Sequence, residues 1–253
     1  DEEDDDEDDE EEEEDIEEDE KKEEEVVEEE EEEKNIPAPA TAKKGPPVKM
    51  TLVEKMRAKL SGGQFRMLNE SLYTTTGTKA LEMVQDSPGM FAAYHQGFRE
   101  QTKDWPTRPV DVCIKWLKTQ PKDLAVADFG CGDAELARSV PQRMVHSFDL
   151  ESEAPGVIAC NMAAVPLPDA SVEVAVFSLS LMGIDYGDFL EEAHRVLKVG
   201  GVLWIAEVRS RFDGSVGHAS VDSFLAVLTQ QLGFKLKGKP DESNKMFFIV
   251  QLV

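Results

Sequence analysis

From residue 50 to 120 the apolar positions recur at helical spacing. Leu52, Val53, Met56 and Leu60 fall on one stripe, with Lys55, Arg57 and Lys59 opposite. Ser61-Gly62-Gly63 is expected to break that helix. Phe65, Leu68 and Leu72 predict a second, ended by Thr74-Thr75-Thr76-Gly77. For the next helix Ser87 is the expected N-cap and Pro88 the first position, with Met90, Phe91, Tyr94 and Phe98 on one face. Pro109 opens a last helix carrying Ile114, Trp116 and Leu117.

After Gln120 the period changes. Short apolar runs at 124–129, 144–148, 157–160, 172–179 and 202–207 read as buried parallel strands, and 234–238 and 246–252 as two closing strands. Helices are predicted at 135–140, 187–197 and 221–232. Alternating strands and helices with short turns predict an α/β fold. It is a doubly wound, Rossmann-like sheet of seven strands, the last antiparallel, behind an N-terminal helical extension. Ligands of such sheets bind beyond the strand C-termini.

Charge divides the chain differently. Residues 1–34 hold 28 Asp or Glu and 3 Lys, so nearly all of the net charge of −26 sits there. Ile16, Val26 and Val27 are the only apolar residues of that tract, too few to offset the entropy of ordering it, so disorder is expected. It reads either as a solvated tail or as a tract that engages basic partners such as histones, other basic nucleolar proteins or the chain's own RNA-binding face. Residues 35–48 follow as a proline-rich linker, and Lys43-Lys44 with Lys49 form a candidate nuclear import signal. The expected organisation is tail and linker over 1–49, helical extension over 50–120 and a ligand-binding domain over 121–253. The first residue is not Met and is not expected to be the native start. Cys113, Cys131 and Cys160 have no paired spacing, which implies neither a disulfide framework nor a zinc site. No apolar run is long enough for a membrane span.

The first strand runs into Asp128-Phe-Gly130-Cys-Gly132-Asp133. Glycines there allow a sharp turn and close approach of the backbone to a ligand. Dinucleotide enzymes use a similar turn, but here Glu135 replaces the third glycine, and carboxylates flank a place where a pyrophosphate would be repelled. S-adenosylmethionine has no phosphate and carries an ammonium and a sulfonium, so an acidic rim favours it over a nicotinamide cofactor. Asp149 ends the second strand, where a carboxylate can accept both ribose hydroxyls. Asn161 and Met162 close the third strand as candidate adenine contacts. Ser178, Leu179 and Ser180 end the fourth, beside the reacting atoms.

Beyond these loops lie Phe65-Arg-Met-Leu-Asn-Glu-Ser-Leu-Tyr73, Tyr94-His-Gln-Gly-Phe98, Trp105-Pro with Pro109-Val-Asp111, and Val174-Ala-Val-Phe-Ser-Leu-Ser-Leu-Met-Gly183. Asp188-Phe-Leu-Glu-Glu-Ala-His-Arg-Val-Leu197 and Ser210-Arg-Phe212 continue the series. Together they resemble the ribosomal RNA-processing protein 8 family (nucleomethylin) over essentially residues 60–253. The resemblance implies a nucleolar, S-adenosylmethionine-dependent methyltransferase acting on N1 of an adenosine in large-subunit ribosomal RNA, with S-adenosylhomocysteine as product. In animals the family is also linked to a chromatin-silencing complex on ribosomal DNA. It maps cofactor contacts to His95, Gly130, Asp149, Asn161, Met162 and Ser178. His95 enters by the resemblance alone, since a His on an amphipathic helix is ordinarily a plain core or surface residue. Asn161 stands where the family usually has Asp, Ser178 where animal relatives have Cys, and Val199 where Pro is frequent.

Adenine N1 has an in-plane lone pair and no proton to lose, so no general base is required. Its position on the pairing edge means the base must be unpaired or flipped out. Residues 43–118 carry a net +6 and residues 119–253 a net −7, which points to the helical extension as the RNA face. A small-molecule methyltransferase and a cofactor-binding chromatin adaptor without turnover are the rival readings.

Overall fold

The computed structural model describes residues 52–151, 153–215 and 219–253, with side chains from Leu60 onward apart from those gaps. The acidic tract, the linker with its candidate import signal, and the side chains of the Leu52–Met56 stripe and of Lys55, Arg57 and Lys59 lie outside the described residues. Residues from Thr51 to Val253 form one compact unit.

Six strands build the sheet: β1 (Val126–Phe129), β2 (Val145–Asp149), β3 (Val157–Ala159), β4 (Val172–Ser178), β5 (Leu197–Val208) and β6 (Phe247–Leu252). Their spatial order is β3-β2-β1-β4-β5-β6, parallel except for β6, which runs antiparallel to β5. The order reverses at β1, and such a switch point opens a crevice at the strand C-termini. Both faces of the central strands are covered, which is why β1, β4 and β5 read as largely apolar runs, while β2 and the edge strand β3 are less buried. Val126, Val174, Val176, Trp204 and Ala206 point to one layer, with α4 (Pro109–Thr119) and α5 (Glu135–Ser139). Ala127, Phe129, Ala175, Phe177 and Ile205, one residue out of phase, point to the other, with α6 (Tyr186–Val196) and α7 (Val221–Gln230).

Three expectations are corrected. The seventh strand at 234–238 is absent as a strand. Lys235 and Lys237 donate to the carbonyls of Val253 and Gln251 at 2.7 and 2.8 Å, but only Leu236 forms a bridge, to Leu252. Gly233 and Gly238 sit at φ +76° and +93° and turn the chain away at either end, leaving too few residues for a ladder. Ser61-Gly62-Gly63 does not break its helix: α1 runs unbroken from Leu52 to Tyr73. Packing outweighs propensity there, since Phe65 stacks on Tyr94 at 5.5 Å and lies against Gly97, where a Cβ would come within 2.6 Å of it. Finally, a helix that the periodicity did not predict, α2 (Gly77–Asp86), follows the Thr74–Gly77 turn. The helix after it, α3 (Met90–Thr102), begins behind Gly89 in a left-handed conformation instead of behind Ser87. Helices α1–α3 share a small core of Leu68, Leu72, Ala80, Val84, Phe91 and Tyr94 that reaches the C-terminal edge of the sheet through Leu150 and Met182.

Candidate active site

At the C-terminal end of β1 the chain turns through Gly130 at φ +73° and Gly132 at φ +54°. The amides of Gly130 and Cys131 both donate to the carbonyl of Phe148 on the neighbouring strand, at 2.8 and 3.0 Å. Any Cβ on Gly130 would run into the Ser180 side chain, whose hydroxyl donates to the Phe129 carbonyl at 2.5 Å. Glycine is therefore required twice at this position, by conformation and by space.

Asp149, at the end of β2, is the other anchor of the turn. Its Oδ2 accepts the Gly132 amide at 2.6 Å and its Oδ1 accepts the Leu150 amide at 2.8 Å. His95 on α3 brings Nε2 to 3.9 Å from the same carboxylate, with its ring 4.4 Å from that of Phe91. Burial pushes the Asp149 carboxyl up, and the His95 charge and the two amides pull it back. Asp128 lies deeper, where burial and then the Asp149 charge push it up to about 7. Asp133 is bound by Arg99 through two contacts of 3.0 Å. The acidic rim inferred from the sequence is thus weaker than three formal charges. Asp128 is only partly ionised near neutral pH, Asp133 is paired with Arg99, and burial raises Asp149 as well.

Asn161 accepts the Ala163 amide through Oδ1 at 3.0 Å and donates through Nδ2 to the Thr78 hydroxyl of α2 at 3.3 Å. An amide can accept and donate in one side chain, whereas a carboxylate at this position could only accept. Met162 is buried beside Gly130, and Ser178 is half-buried at the end of β4. Leu179 follows at φ +62°, a conformation costly for a branched side chain, with its amide donating to Ala206 at 2.9 Å.

These residues line one cavity of about 370 Å³. It contains all six expected contacts (His95, Gly130, Asp149, Asn161, Met162 and Ser178), together with Leu179 and Ser180. Its remaining wall comes from the helical extension, through Leu72, Tyr94, Phe98 and the start of α2. Sequence reasoning missed that wall. The N-cap Thr76, whose hydroxyl accepts the Lys79 amide at 3.3 Å, was the available signal for α2. Asp185 takes the Gly77 amide with both oxygens at 2.9 Å, and the Ile184 amide donates to Thr75 at 3.0 Å, so the Thr75–Gly77 turn is stitched to the segment after β4.

Sheet order, antiparallel last strand and a glycine turn tied to a strand-end carboxylate define the class: a Rossmann-like methyltransferase domain. Residues 51–253 match a family model described as hypothetical methyltransferase. The chain is 49% identical over 203 residues to Ribosomal RNA-processing protein 8 of Arabidopsis thaliana, covering 80% of this chain and 70% of that protein. It is 42% identical over 212 residues to the 25S rRNA (adenine(645)-N(1))-methyltransferase of Schizosaccharomyces pombe, covering 79% and 65%. The mouse Ribosomal RNA-processing protein 8 is 50% identical over 195 residues, of which this chain spans 77% of itself but 41% of the relative. Among solved structures, a Burkholderia thailandensis 1,6-didemethyltoxoflavin-N1-methyltransferase with bound S-adenosylhomocysteine superposes at TM-score 0.50 and 19% identity. It covers 64% of this chain and 84% of its own, which bears out the fold. The chain belongs to the ribosomal RNA-processing protein 8 family of methyltransferases.

Proposed function

We propose that this cavity binds S-adenosylmethionine and that the chain methylates N1 of an adenosine in large-subunit ribosomal RNA. The observation that carries the cofactor reading is Asp149. It is a buried carboxylate at a strand end, already bonded to the glycine turn, with acceptor capacity left on both oxygens for a pair of ribose hydroxyls. The residues present fit the group. Gly130 keeps the floor of the cavity free of side chains, Met162 and Leu150 offer apolar surface to a ring, and Asn161 stands at the edge of that surface. The two arginines that line the cavity are paired with carboxylates, Arg99 with Asp133 and Arg108 with Asp111 and Glu135, so neither offers a free guanidinium fork to a phosphate.

When bound, the cofactor supplies an electrophilic methyl group on a positively charged sulfur. The segment from Ser178 to Gly183, which faces the acceptor side, carries no ionisable side chain. Tyr94 beyond it is held by a contact from its hydroxyl to the Met182 sulfur at 3.2 Å, and burial pushes its proton affinity above that of an ordinary phenol. That lining suits an acceptor such as adenine N1, which needs orientation and water exclusion and no proton removal. The name of the Schizosaccharomyces pombe relative supports the RNA and the base.

The same reading places the work in the nucleolus, puts the RNA-contact face on residues 50–120 and most cofactor contacts on 121–253, with His95 of the helical extension joining them, and reads residues 1–34 either as a solvated tail or as one that engages histones or other basic nucleolar proteins. The deciding experiment is methyl transfer from labelled cofactor to ribosomal RNA fragments, followed by nucleoside mapping. Labelled N1-methyladenosine is the expected product. Transfer that ignores RNA would move the enzyme to the small-molecule class, and cofactor binding with no transfer to any RNA would make it an adaptor.

A further inference from the structure

Glu207 lies near the C-terminal end of β5 with its side chain fully enclosed. Its Oε1 accepts the Leu181 amide at 2.8 Å, while its buried Oε2 has no hydrogen-bond partner and lies 3.9 Å from the Arg211 guanidinium. Arg211 sits one turn on, in the short 3₁₀ segment Arg209–Phe212. Its guanidinium lies 4.7 Å from the centre of the Tyr73 ring and 4.9 Å from that of Tyr186. It also donates to the carbonyl of Leu181 and, at 3.4 Å, to that of Gly183. One acid and one base thus grip the turn Leu179–Gly183 from its amide side and its carbonyl side.

Stability does not account for this pair. Two charges taken out of water lose most of what their attraction returns, and apolar side chains of equal volume commonly do as well or better. What the pair does hold is a strained turn: Leu179 at φ +62° and Ser180 against the Phe129 carbonyl. Strain of this kind persists only where the surroundings over-determine it. Leu179, Ser180, Met182 and Gly183 all line the cavity, on the far side of β1 from Asp149.

We propose that Glu207 and Arg211 are positioning residues for methyl transfer, holding the turn Leu179–Gly183 in the form that presents the acceptor base to the methyl group. The two rings that sandwich Arg211 come from α1 and α6, so the pair also fixes the helical extension against the acceptor side of the cavity. This inference rests on the methyl-transfer reading above.

The test uses the full chain with Glu207→Gln, which keeps the acceptor for Leu181 and removes the charge, and Arg211→Lys, which keeps the charge and removes the fork. Three quantities are read: kcat and KM on ribosomal RNA fragments, S-adenosylhomocysteine affinity by calorimetry, and amide exchange over residues 179–183. Expected are a fall in kcat on the order of ten- to hundredfold, unchanged cofactor affinity, and faster exchange in the turn. Should Arg211→Lys fail to fold, the isosteric Glu207→Gln carries the test alone. Unchanged kcat, or cofactor affinity falling in step with kcat, would overturn the proposal, as would unaltered exchange in the turn. A parent protein that transfers no methyl group to RNA would instead defeat the functional reading, and the exchange measurement would still decide whether the pair holds the turn.

Discussion

Asp149 does two jobs that the sequence could not separate. It holds the Gly132 amide, and in the proposed complex it also accepts the ribose hydroxyls. Asp149→Ala removes both. Each hydrogen bond to a charged acceptor is worth roughly 1.5–3 kcal/mol, so S-adenosylhomocysteine affinity should fall on the order of a hundredfold or more. Calorimetric titration measures it, and an affinity equal to the parent's would remove Asp149 from the site. His95 shows the limit of residue-level reasoning. Periodicity and residue chemistry do not mark it; only the family resemblance of residues 94–98 does, and the packing of α3 brings its ring to within 4.4 Å of Phe91 and its Nε2 to 3.9 Å from the Asp149 carboxylate.

At the scale of elements, α1 shows packing outweighing propensity. Gly62 and Gly63 lie inside a continuous helix, and a Cβ at either would meet nothing within 4 Å. Neither has a positive φ. Glycine costs roughly 0.5–1 kcal/mol relative to alanine in such a position, so Gly62→Ala and Gly63→Ala should each stabilise the protein by about that amount. The double variant should melt about 2–8 °C higher. Calorimetric melting tests this, and a lower midpoint would mean that the helix is interrupted there. Gly97 on α3 is the contrasting case, since its missing side chain is the space that Phe65 occupies.

Across the whole molecule charge is unevenly spread: residues 43–118 carry a net +6 and residues 119–253 a net −7. The arginines around the cavity and its acceptor-side turn are engaged: Arg99 with Asp133, Arg108 with Asp111 and Glu135, Arg209 with Glu242, and Arg211 with Glu207. The surplus of basic residues over 43–118 therefore rests on lysines and on Arg57 and Arg66. Reversing Lys55, Arg57 and Lys59 to Glu should weaken RNA binding and flatten its salt dependence, by about 0.7 in the logarithmic slope for each single-strand phosphate no longer neutralised. Cofactor affinity should stay as it was. The acidic tract competes for the same basic surface in this scheme, so RNA titrations across a salt series belong in both the full chain and one beginning at Lys43. RNA binding equal to the parent's in both backgrounds would move the RNA-binding surface away from this helix.

Local pattern determined much of this protein. Short, largely apolar runs marked out the parallel strands, because the central strands of a sheet covered on both faces tolerate few polar residues. The turn Gly130–Gly132 and the strand-end Asp149 were readable because a sharp turn and a fixed spacing are properties of the chain itself. Contacts between distant segments were not readable. The stitching of Gly77 to Asp185, the Thr78–Asn161 contact and the Glu207–Arg211 grip on the fourth strand's turn join residues 26 to 108 positions apart or depend on such joins. The raised Asp128 carboxyl belongs with them, since its shift comes from burial between strands and from the Asp149 charge, both of which only folding supplies. Sequence fixes which groups exist and their order along each strand, whereas dielectric environment and cross-strand neighbours arise from the packed fold alone.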